Sequence, residues 1–438
     1  MKVGIFGSYN QGSIGDYAIL HGIIHQFLES DPLTRFIVFA SDSRTARDQT
    51  GTSEAVQVVS AFPYLRSSAH RRRRRETAGH QEAIGKGPAG RNTCLRRLCR
   101  VGVRLLSLIK TVGRDVLVVL AIRHWRTVAS DIRSADLLII GGGNLVMDLY
   151  PTWPVYPLIY ALLGRLVGTP VVFYGVGAGP ISTLRGRLHL ACACHLARLL
   201  TFRDQESLDL VRGKLRVSVS KLILAADPAL HLRTSGRVAE NTTKIGITFV
   251  PYFSPDYWPQ GNPELYRRYS RAGATALRLL SDRDHTRVSL LATNYPHDMY
   301  VAREVARGAG LLHSPDVLLL DAKLRVADIL DVITQCDIIV GTRLHSLVLA
   351  VVAGVPFVAI SYQPKVASFV RRCGMEDYLL DISEFIKHPE QVIALVEQAL
   401  SNRGMIASRL AKAAEDLREN SRRGHQHVLK ALAEGCWP

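Results

Sequence analysis

The chain has 438 residues, of which 47% are hydrophobic and 21% are charged. A chain of this length is too long for one ordinary core and suits two domains of about 150 to 200 residues each. Its composition is close to that of soluble globular proteins, which argues against wholesale disorder, a fibrous repeat and a protein with many membrane spans.

The net charge of +17 is concentrated in one segment. Residues 66–126 contain 16 basic and three acidic residues, a local charge of +13, so that the rest of the chain carries only +4. This insert includes the five arginines Arg71–Arg75, followed by apolar residues at helical spacing. We expect either a helix packed on the first domain behind a solvated loop, or contact with an anionic membrane surface through 66–126. Because the body of the protein is nearly neutral, we expect no nucleic-acid partner.

Cysteine usage and the first residues predict the compartment. The seven cysteines include no Cys-x-x-Cys pair, which is typical of reduced thiols in a cytosolic protein. The first apolar run reaches Gly7 after a few residues and is predicted to be a strand rather than a signal peptide. We therefore expect a cytoplasmic protein, peripheral at the inner face of the plasma membrane if the insert binds lipid.

Ten short apolar runs predict strands. Each ends in glycine or a polar residue, and most precede a helix-length amphipathic segment. The runs cover residues 3–8, 36–40, 137–143, 171–177, 199–203, 244–250, 288–294, 317–321, 338–342 and 357–362. Continuous rather than alternating hydrophobicity indicates strands buried on both faces, as in parallel sheets covered by helices. The predicted fold class is α/β, doubly wound.

A polar stretch near residues 232–244 predicts the domain boundary. Residues 1–232 are expected to form an N-terminal Rossmann-like domain with the basic insert 66–126. Residues 233–438 are expected to form a C-terminal Rossmann-like domain with C-terminal helices. Ligands of open α/β sheets bind at the carboxyl ends of the strands, so the site is expected in the cleft between the two domains.

Glycines border the cleft ends of three strands in the first domain. The first strand leads to Gly15-Asp16, where the carboxylate serves either chemistry or as the N-cap of the next helix. Later strands end in Gly141–Asn144 and in 175–179, where the glycines serve either a ligand or tight turns. His21 and His25 are four residues apart, but no third ligand is near in the sequence, so we predict no metal site.

Four basic side chains follow predicted strands. They are Arg203, Arg343, His345 and Lys365. Arg343 and His345 lie on the same side if the backbone is extended there. A converging cluster of this kind suits a small ligand with several negative charges, although any single member could form a structural salt bridge.

An ordered set of short motifs resembles the polysaccharide pyruvyl transferase family over nearly the whole chain. The motifs are Gly15-Asp16, Gly141-Gly142-Gly143-Asn144, Phe202-Arg203-Asp204-x-x-Ser207, Asp227-Pro228, Gly341-Thr342-Arg343-Leu344-His345-Ser346 and Tyr362-x-x-Lys365. The resemblance implies two Rossmann-type domains facing a cleft in a glycosyltransferase-B-like arrangement. It also implies transfer of pyruvate from phosphoenolpyruvate to a sugar as a cyclic ketal. The basic insert matches none of these motifs.

The resemblance also implies roles for the cations. Arg203, Arg343 and His345 would bind the donor and act in catalysis, with Lys365 as a further phosphate ligand. Further donor-binding candidates are Gly142, Gly143, Asn144 and Ser346. We expect His345 to be the general acid or to shuttle the proton to the departing phosphate, because histidine is the only residue type in the cluster that ordinarily titrates near neutrality. We expect Asp16 to be the base for the sugar hydroxyl. No cofactor is expected besides phosphoenolpyruvate as co-substrate.

The acceptor is expected to be a saccharide of a polysaccharide or of a lipid-linked oligosaccharide. Aromatic residues after the first strand of the second domain offer faces for sugar stacking, and polar groups follow the next strand. The candidates are Asn10, Tyr252, Asn294 and Asp298. Apolar contact within the interdomain core is the alternative reading of the aromatic residues.

Two other functions stay open. A glycosyltransferase that uses a sugar nucleotide would share the architecture and grip a diphosphate with the same cations. A scaffold tethered to the membrane by the basic insert would need no cationic cleft.

Overall fold

The computed structural model describes residues 1–9, 12–51, 54–60, 125–238, 242–258 and 260–437. Within these ranges the chain builds two parallel sheets on which helices pack. The predicted fold class, two doubly wound α/β domains, is confirmed. Most of the basic insert 66–126 lies outside the described residues, and only Trp125 and Arg126 of it are described.

The first domain contains a sheet of seven parallel strands. The strands are β1 (Lys2–Phe6), β2 (Arg35–Ala40), β3 (Val56–Ser60), β4 (Leu137–Gly141), β5 (Val171–Val176), β6 (Leu199–Phe202) and β7 (Leu222–Leu224). They lie in the order β3-β2-β1-β4-β5-β6-β7. The helices are α1 (Ile14–Ser30), α2 (Ser43–Thr50), α3 (Trp125–Arg133), α4 (Val155–Val167), α5 (Leu184–Leu196) and α6 (Gln205–Leu210). A short 3-10 helix, Pro228–His231, leads toward the second domain.

The second domain repeats this order with six strands. The strands are β8 (Thr243–Thr248), β9 (Thr286–Leu291), β10 (Val317–Leu319), β11 (Ile338–Gly341), β12 (Phe357–Ser361) and β13 (Leu379–Asp381). They lie in the order β10-β9-β8-β11-β12-β13. The helices are α7 (Pro263–Ser281), α8 (His297–Gly308), α9 (Val326–Gln335), α10 (Leu344–Ala353), α11 (Pro364–Arg372), α12 (Ile382–Lys387), α13 (Gln391–Ser401) and α14 (Arg403–Glu434).

Both strand orders place a switch point in the middle of the sheet. The chain moves outward from β1 to β3 and then crosses back to β4, and it does the same from β8 to β11. A crevice opens at the carboxyl ends of the two neighbouring strands where the order reverses. The residues that follow β1, β4, β8 and β11 are therefore the natural lining of the cleft.

Two hydrophobic cores hold the sheets. One core is continuous from the α1 face of the first sheet through the second domain. The other lies under α3, α4 and α5, on the opposite face of the first sheet. The α4–α5 layer is thus the outer layer of the first domain, turned away from the second.

The last helix contacts both domains. Although α14 follows the second sheet, its Gly424 lies against Ala225, where a Cβ would be 2.8 Å from the alanine Cβ. The imidazole Nδ1 of His425 shares a hydrogen bond with the Tyr174 hydroxyl of β5 at 2.9 Å. The C-terminal helices predicted as part of 233–438 therefore also pack on the first domain.

Candidate active site

Backbone hydrogen bonds join the two domains at the edge of the cleft. The amide of Ile14 donates to the carbonyl of Thr293, and the amide of Tyr295 donates to the carbonyl of Gly12, both at 2.9 Å. A Cβ on Gly12, whose φ is +97°, would lie 1.7 Å from the Tyr295 carbonyl oxygen. Only glycine permits this approach, which docks the loop before α1 on the loop before α8.

His345 lies where the two domains meet. Its Nε2 is 3.4 Å from Nη1 of Arg203 and 3.6 Å from Oδ2 of Asp227. Its Nδ1 faces Gly15 so closely that a Cβ there would be 2.1 Å away. The backbone is extended at Arg343, but α10 begins at the next residue. The side chains of Arg343 and His345 therefore lead to different parts of the cleft.

Arg203 and Asp227 form a buried ion pair beside this imidazole. Nη1 of Arg203 donates to Oδ2 of Asp227 at 2.8 Å, and both side chains are 5% exposed. Burial opposes ionisation of Asp227, but the hydrogen bond with His345 and the charge of Arg203 outweigh it and lower its pKa. Nε of Arg203 is buried with no hydrogen-bond partner among the described residues, so a donor remains for an anion.

Asp227 is a site residue that the sequence-based assignment missed. The Asp227-Pro228 pair is one of the motifs that resemble the family, but the sequence assigns its carboxylate no role. In the structure the carboxylate caps the 3-10 helix by accepting from the Ala229 amide at 3.0 Å. Its other oxygen binds Arg203. A carboxylate placed soon after strand β7, on the same sheet edge as Arg203, was the available signal.

Lys365 enters the same region from the first turn of α11. It lines an interdomain pocket with Arg203, Asp227, Ser368 and Arg372. Burial, together with the charges of Arg203 and Arg343, lowers the pKa of Lys365 to about 8. Among the described residues no ion-pair partner is present for Lys365, which leaves its charge available to a ligand.

Asp16 is in the first turn of α1 and does not cap it. Ser13 is the N-cap, and its hydroxyl accepts from the Asp16 amide at 3.4 Å. The Asp16 carboxylate instead lies against Gly143, where a Cβ would be 2.0 Å from Oδ1. Burial raises the pKa of Asp16, although the hydrogen bond with Ser13 and the charge of His345 oppose this. A raised pKa suits a group that accepts a proton.

The glycines of the β4 loop make room for first-domain side chains. Gly142 and Gly143 both have positive φ, +95° and +82°. A Cβ on Gly142 would be 2.9 Å from the Tyr9 hydroxyl. The side-chain Nδ2 of Asn144 donates to the Gly179 carbonyl at 2.5 Å. The structure thus brings this loop to the cleft, where its glycines allow the close approach of Tyr9 and Asp16.

The buried carboxylate of Asp298 fixes the orientation of Arg343. Its Nη2 and Nε donate to Oδ1 of Asp298 at 2.6 and 3.2 Å, and Asp298 has no exposed surface. Oδ2 of Asp298 accepts from the Asn294 amide at 2.8 Å. Asp298 is an acceptor candidate from its position in the sequence, but a direct contact with the acceptor would require exposed oxygens. Here Asp298 positions Arg343 instead.

Tyrosines surround the free side of Arg343. Its guanidinium lies 5.5 Å from the ring centroid of Tyr257, whose hydroxyl accepts from Nδ2 of Asn294 at 2.9 Å. Tyr150 reaches this group from the first domain and is 37% exposed. Burial and the neighbouring Tyr257 raise the pKa of Tyr150 to about 12, so its hydroxyl stays protonated and can donate.

The remaining predicted residues occupy other places. Ser346 is fully buried, and its hydroxyl bonds the Arg343 carbonyl at 2.7 Å and Thr248 at 3.1 Å. The structure does not bring Ser346 into the cleft, and it fixes the turn into α10 instead. Tyr252 packs its ring on Tyr269 and Tyr362, 5.7 and 6.3 Å between centroids. Asn10 lies outside the described residues.

Histidines on α1 have structural partners. Nε2 of His21 is 3.0 Å from the Gln49 carbonyl, and Nδ1 of His25 is 3.2 Å from the His231 carbonyl. In the part of the chain that the structure describes, no three His, Cys, Asp or Glu side chains come together as metal ligands.

Solved structures with a similar fold act on sugars. The UDP-GlcNAc 2-epimerase from Neisseria meningitidis is 10% identical, with a TM-score of 0.55 over 98% of this chain and 100% of that one. An α,α-trehalose-phosphate synthase (UDP-forming) from Burkholderia vietnamiensis is 9% identical, with a TM-score of 0.53 over 99% and 100%. At these identities the similarity concerns the fold alone, which is the glycosyltransferase-B arrangement of two Rossmann-like domains.

Sequence comparison gives the family. The amylovoran biosynthesis protein AmsJ of Erwinia amylovora is 23% identical over 454 residues, which cover 99% of this chain and 100% of the relative. The family model described as polysaccharide pyruvyl transferase matches residues 14–364, a stretch that includes Asp16, Arg203, Arg343 and His345. The chain therefore belongs to the polysaccharide pyruvyl transferase family.

Proposed function

We propose that the protein transfers the pyruvyl group of phosphoenolpyruvate to two hydroxyls of one sugar, forming a cyclic pyruvate ketal. The observation that carries this proposal is that His345 lies beside Arg203, which lines one pocket with Lys365, while Arg343 lies at a second point of the cleft. Phosphoenolpyruvate carries a phosphate and a carboxylate on three carbons, so it needs cations at two neighbouring places.

The two cationic positions suit different ends of the donor. Arg203 and Lys365 offer a guanidinium donor and an ammonium group with no protein partner among the described residues, which suits the more highly charged phosphate. Arg343 is held in one orientation by Asp298 and lies 5.5 Å from the ring centroid of Tyr257, and a guanidinium in a fixed orientation suits the planar carboxylate. His345 then lies near the reacting carbons between them.

The reaction requires one proton donor and one proton acceptor. His345 protonates the methylene carbon of the donor, which makes the central carbon electrophilic. Asp16 takes the proton of the first sugar hydroxyl, whose oxygen bonds to that carbon. Phosphate then leaves with the electron pair of its C–O bond, the second hydroxyl adds to the same carbon, and its proton ends on phosphate. Two C–O bonds and one C–H bond form, while the carbon–carbon π bond, the C–O bond to phosphate and the two hydroxyl O–H bonds break. The proton taken up by Asp16 returns to His345 before the next turnover, and the cations stabilise the departing phosphate.

The acceptor is proposed from the relative and from the cleft. AmsJ is named for the biosynthesis of amylovoran, which supports a saccharide in polysaccharide assembly as acceptor. Exposed Tyr150 and half-buried Tyr257 offer rings and hydroxyls to such a sugar from the two domains. Assembly on lipid carriers would place the protein in the cytoplasm, at the inner face of the membrane.

Calorimetry on the whole protein tests the donor. We expect phosphoenolpyruvate to bind the wild type and Arg271→Ala, a variant of an exposed arginine on α7, but not Arg343→Ala. Arg343→Lys keeps a positive charge beside buried Asp298 and serves as the second variant. Its affinity for phosphoenolpyruvate should be about tenfold lower or more, because lysine lacks the two parallel N–H donors of the guanidinium. Binding of UDP-sugars alone would instead identify a glycosyltransferase. Binding of neither ligand, with or without added acceptor, would favour a scaffold.

A further inference from the structure

Four leucines are exposed on the outer layer of the first domain. Leu162 and Leu166, one turn apart on α4, are 39% and 79% exposed, and Leu184 and Leu188, one turn apart on α5, are 74% and 61% exposed. The two helices pack on each other and on the same core. Each helix has 13 residues, so all four leucines lie on a layer roughly 20 Å long. Grouped exposed leucines, unlike scattered ones, mark an interaction surface.

Helices α4 and α5 carry arginines and no acidic residue. Residues 149–203 contain five arginines, of which Arg203 lies in the cleft, and no Asp or Glu, while the carboxylate of Asp148, which binds Ser182 and Thr183 before α5, is buried. Arg165 directly precedes Leu166, Arg187 directly precedes Leu188, and both arginines are exposed. An apolar strip accompanied only by cations is complementary to a surface with a hydrophobic interior and anionic head groups. It does not match a second copy of this chain at the same face, because arginines would then meet arginines.

Within the described ranges, the position of the layer in the fold leaves it accessible. The second domain packs on the α1 side of the first sheet, whereas α4 and α5 cover the opposite side. The cleft lies at the carboxyl edge of the sheet, so a flat surface under α4 and α5 would not close it. In the described ranges no helix is both long and apolar enough to cross a bilayer.

We infer that the α4–α5 face docks the protein on an anionic phospholipid membrane. Leu162, Leu166, Leu184 and Leu188 enter the boundary between head groups and acyl chains, while Arg165 and Arg187 pair with lipid phosphates. This surface lies outside the segment 66–126 and does not depend on the identity of the donor. If the acceptor is lipid-linked, as the proposed function allows, the face would hold the cleft beside its substrate.

Vesicle sedimentation with the full chain tests the inference. Vesicles of phosphatidylcholine with phosphatidylglycerol are compared with vesicles of phosphatidylcholine alone. We expect Leu166→Ser/Leu188→Ser to lower the partition coefficient onto anionic vesicles about tenfold or more. The double variant lacks two apolar side chains that the wild type transfers from water into the membrane. Arg165→Gln/Arg187→Gln is expected to lower it several-fold at low salt and less at high salt. All four residues are exposed, so folding is unaffected.

The matched control uses leucines exposed elsewhere. Leu33, in the turn after α1, is 79% exposed, and Leu318, on edge strand β10, is 55% exposed, so Leu33→Ser/Leu318→Ser removes the same kind of surface. Its partitioning should equal that of the wild type.

The inference would be overturned if the leucine and arginine variants bound anionic vesicles as strongly as the wild type, because the insert 66–126 would then be responsible for membrane binding. A change of oligomeric state without a change in sedimentation would also overturn it and identify a protein interface. Calorimetry with phosphoenolpyruvate, unchanged in these variants, separates this result from the donor proposal.

Discussion

Gly15 of the first domain lies directly against the imidazole of His345 of the second. A Cβ on residue 15 would be 2.1 Å from Nδ1, 2.5 Å from Cγ and 2.6 Å from Cε1 of the ring. The other face of His345 approaches Arg203 and Asp227. The position of the imidazole thus depends on how closely α1 can approach α10, and residue 15 sets that approach.

Gly15→Ala is expected to lower kcat about 100-fold or more. The added methyl group must displace the imidazole or separate the domains, and a shift of about 1 Å in a catalytic group has an effect of this size. Turnover of donor and acceptor, measured as phosphate release, checks the expectation. Gly404→Ala on α14, where a Cβ would meet no atom within 4 Å, is the control and should keep wild-type turnover. Wild-type kcat for Gly15→Ala would show that His345 need not occupy its present place.

The sequence predicted ten of the thirteen strands in the described ranges. It missed β3, β7 and β13, all of which lie at an edge of a sheet, although it found the edge strand β10. Edge strands are covered on fewer sides, the apolar residues of β3 are interrupted by Gln57, and β7 and β13 have only three residues each. Their absence from the prediction did not change the fold class, because the central strands determine the switch points.

The candidate site could be predicted only in part for a related reason. Sequence position shows which residues follow a strand, so Arg203, Arg343, His345 and Lys365 could be gathered at one cleft. It does not show which of two neighbouring groups is buried. Asp298 and Ser346 also follow strands, yet both turn inward and hold the Arg343 segment. Asp227 belongs to a motif without an assigned role, and only the three-dimensional structure pairs it with Arg203.

Asp227→Asn is expected to lower the free energy of unfolding by about 3 kcal/mol at pH 7, because Arg203 is left buried without its counter-ion. The pKa of Asp227 is lower in the folded protein than in the unfolded chain. The stabilisation by the charge is therefore complete above the unfolded value of about 3.8 and is lost as the pH falls through the folded value. Urea unfolding of both proteins should show a constant difference at neutral pH that narrows below about pH 4.

Glu264→Gln provides the comparison for this measurement. Glu264 pairs with Arg267 on the surface of α7, where the two side chains are 63% and 62% exposed. Its loss should change the free energy of unfolding by less than about 1 kcal/mol. An equally small change for Asp227→Asn would mean that the buried pair contributes no more than a surface pair.

Asp298→Asn is expected to raise KM for phosphoenolpyruvate about tenfold while KM for the acceptor stays unchanged. The Asp298 carboxylate fixes the orientation of Arg343 through two hydrogen bonds. A guanidinium without a fixed orientation binds the carboxylate of phosphoenolpyruvate less well. Initial rates with each substrate varied in turn separate the two constants. The opposite result, a raised acceptor KM with an unchanged donor KM, would restore the sequence-based assignment of Asp298 to the acceptor.

Lys365 should make donor binding depend on pH. The pKa of Lys365 is lowered to about 8 in the free protein by burial and by Arg203 and Arg343, and a bound phosphate would raise it again. The affinity for phosphoenolpyruvate should therefore be highest near pH 7, where Lys365 is charged and the phosphate is fully ionised, and decrease above about pH 8. Binding at pH 8 to 9 should take up protons, which calorimetry in buffers of different ionisation enthalpy detects. Lys365→Met should abolish the uptake, whereas Lys430→Met, at a lysine 74% exposed, should not.

The same shift predicts the effect of Lys365 on stability. The unfolded chain holds this proton up to about pH 10.5, but the folded protein releases it near pH 8. Burying the charged form therefore destabilises the protein fully below about pH 8, and this penalty is relieved as the pH rises from 8 toward 10.5. Lys365→Met should accordingly be more stable than the wild type at pH 7, by a margin that shrinks in alkaline solution, while it loses donor affinity. A variant that is less stable at pH 7 would show that a protein carboxylate already neutralises Lys365, and the phosphate role assigned to it would be lost.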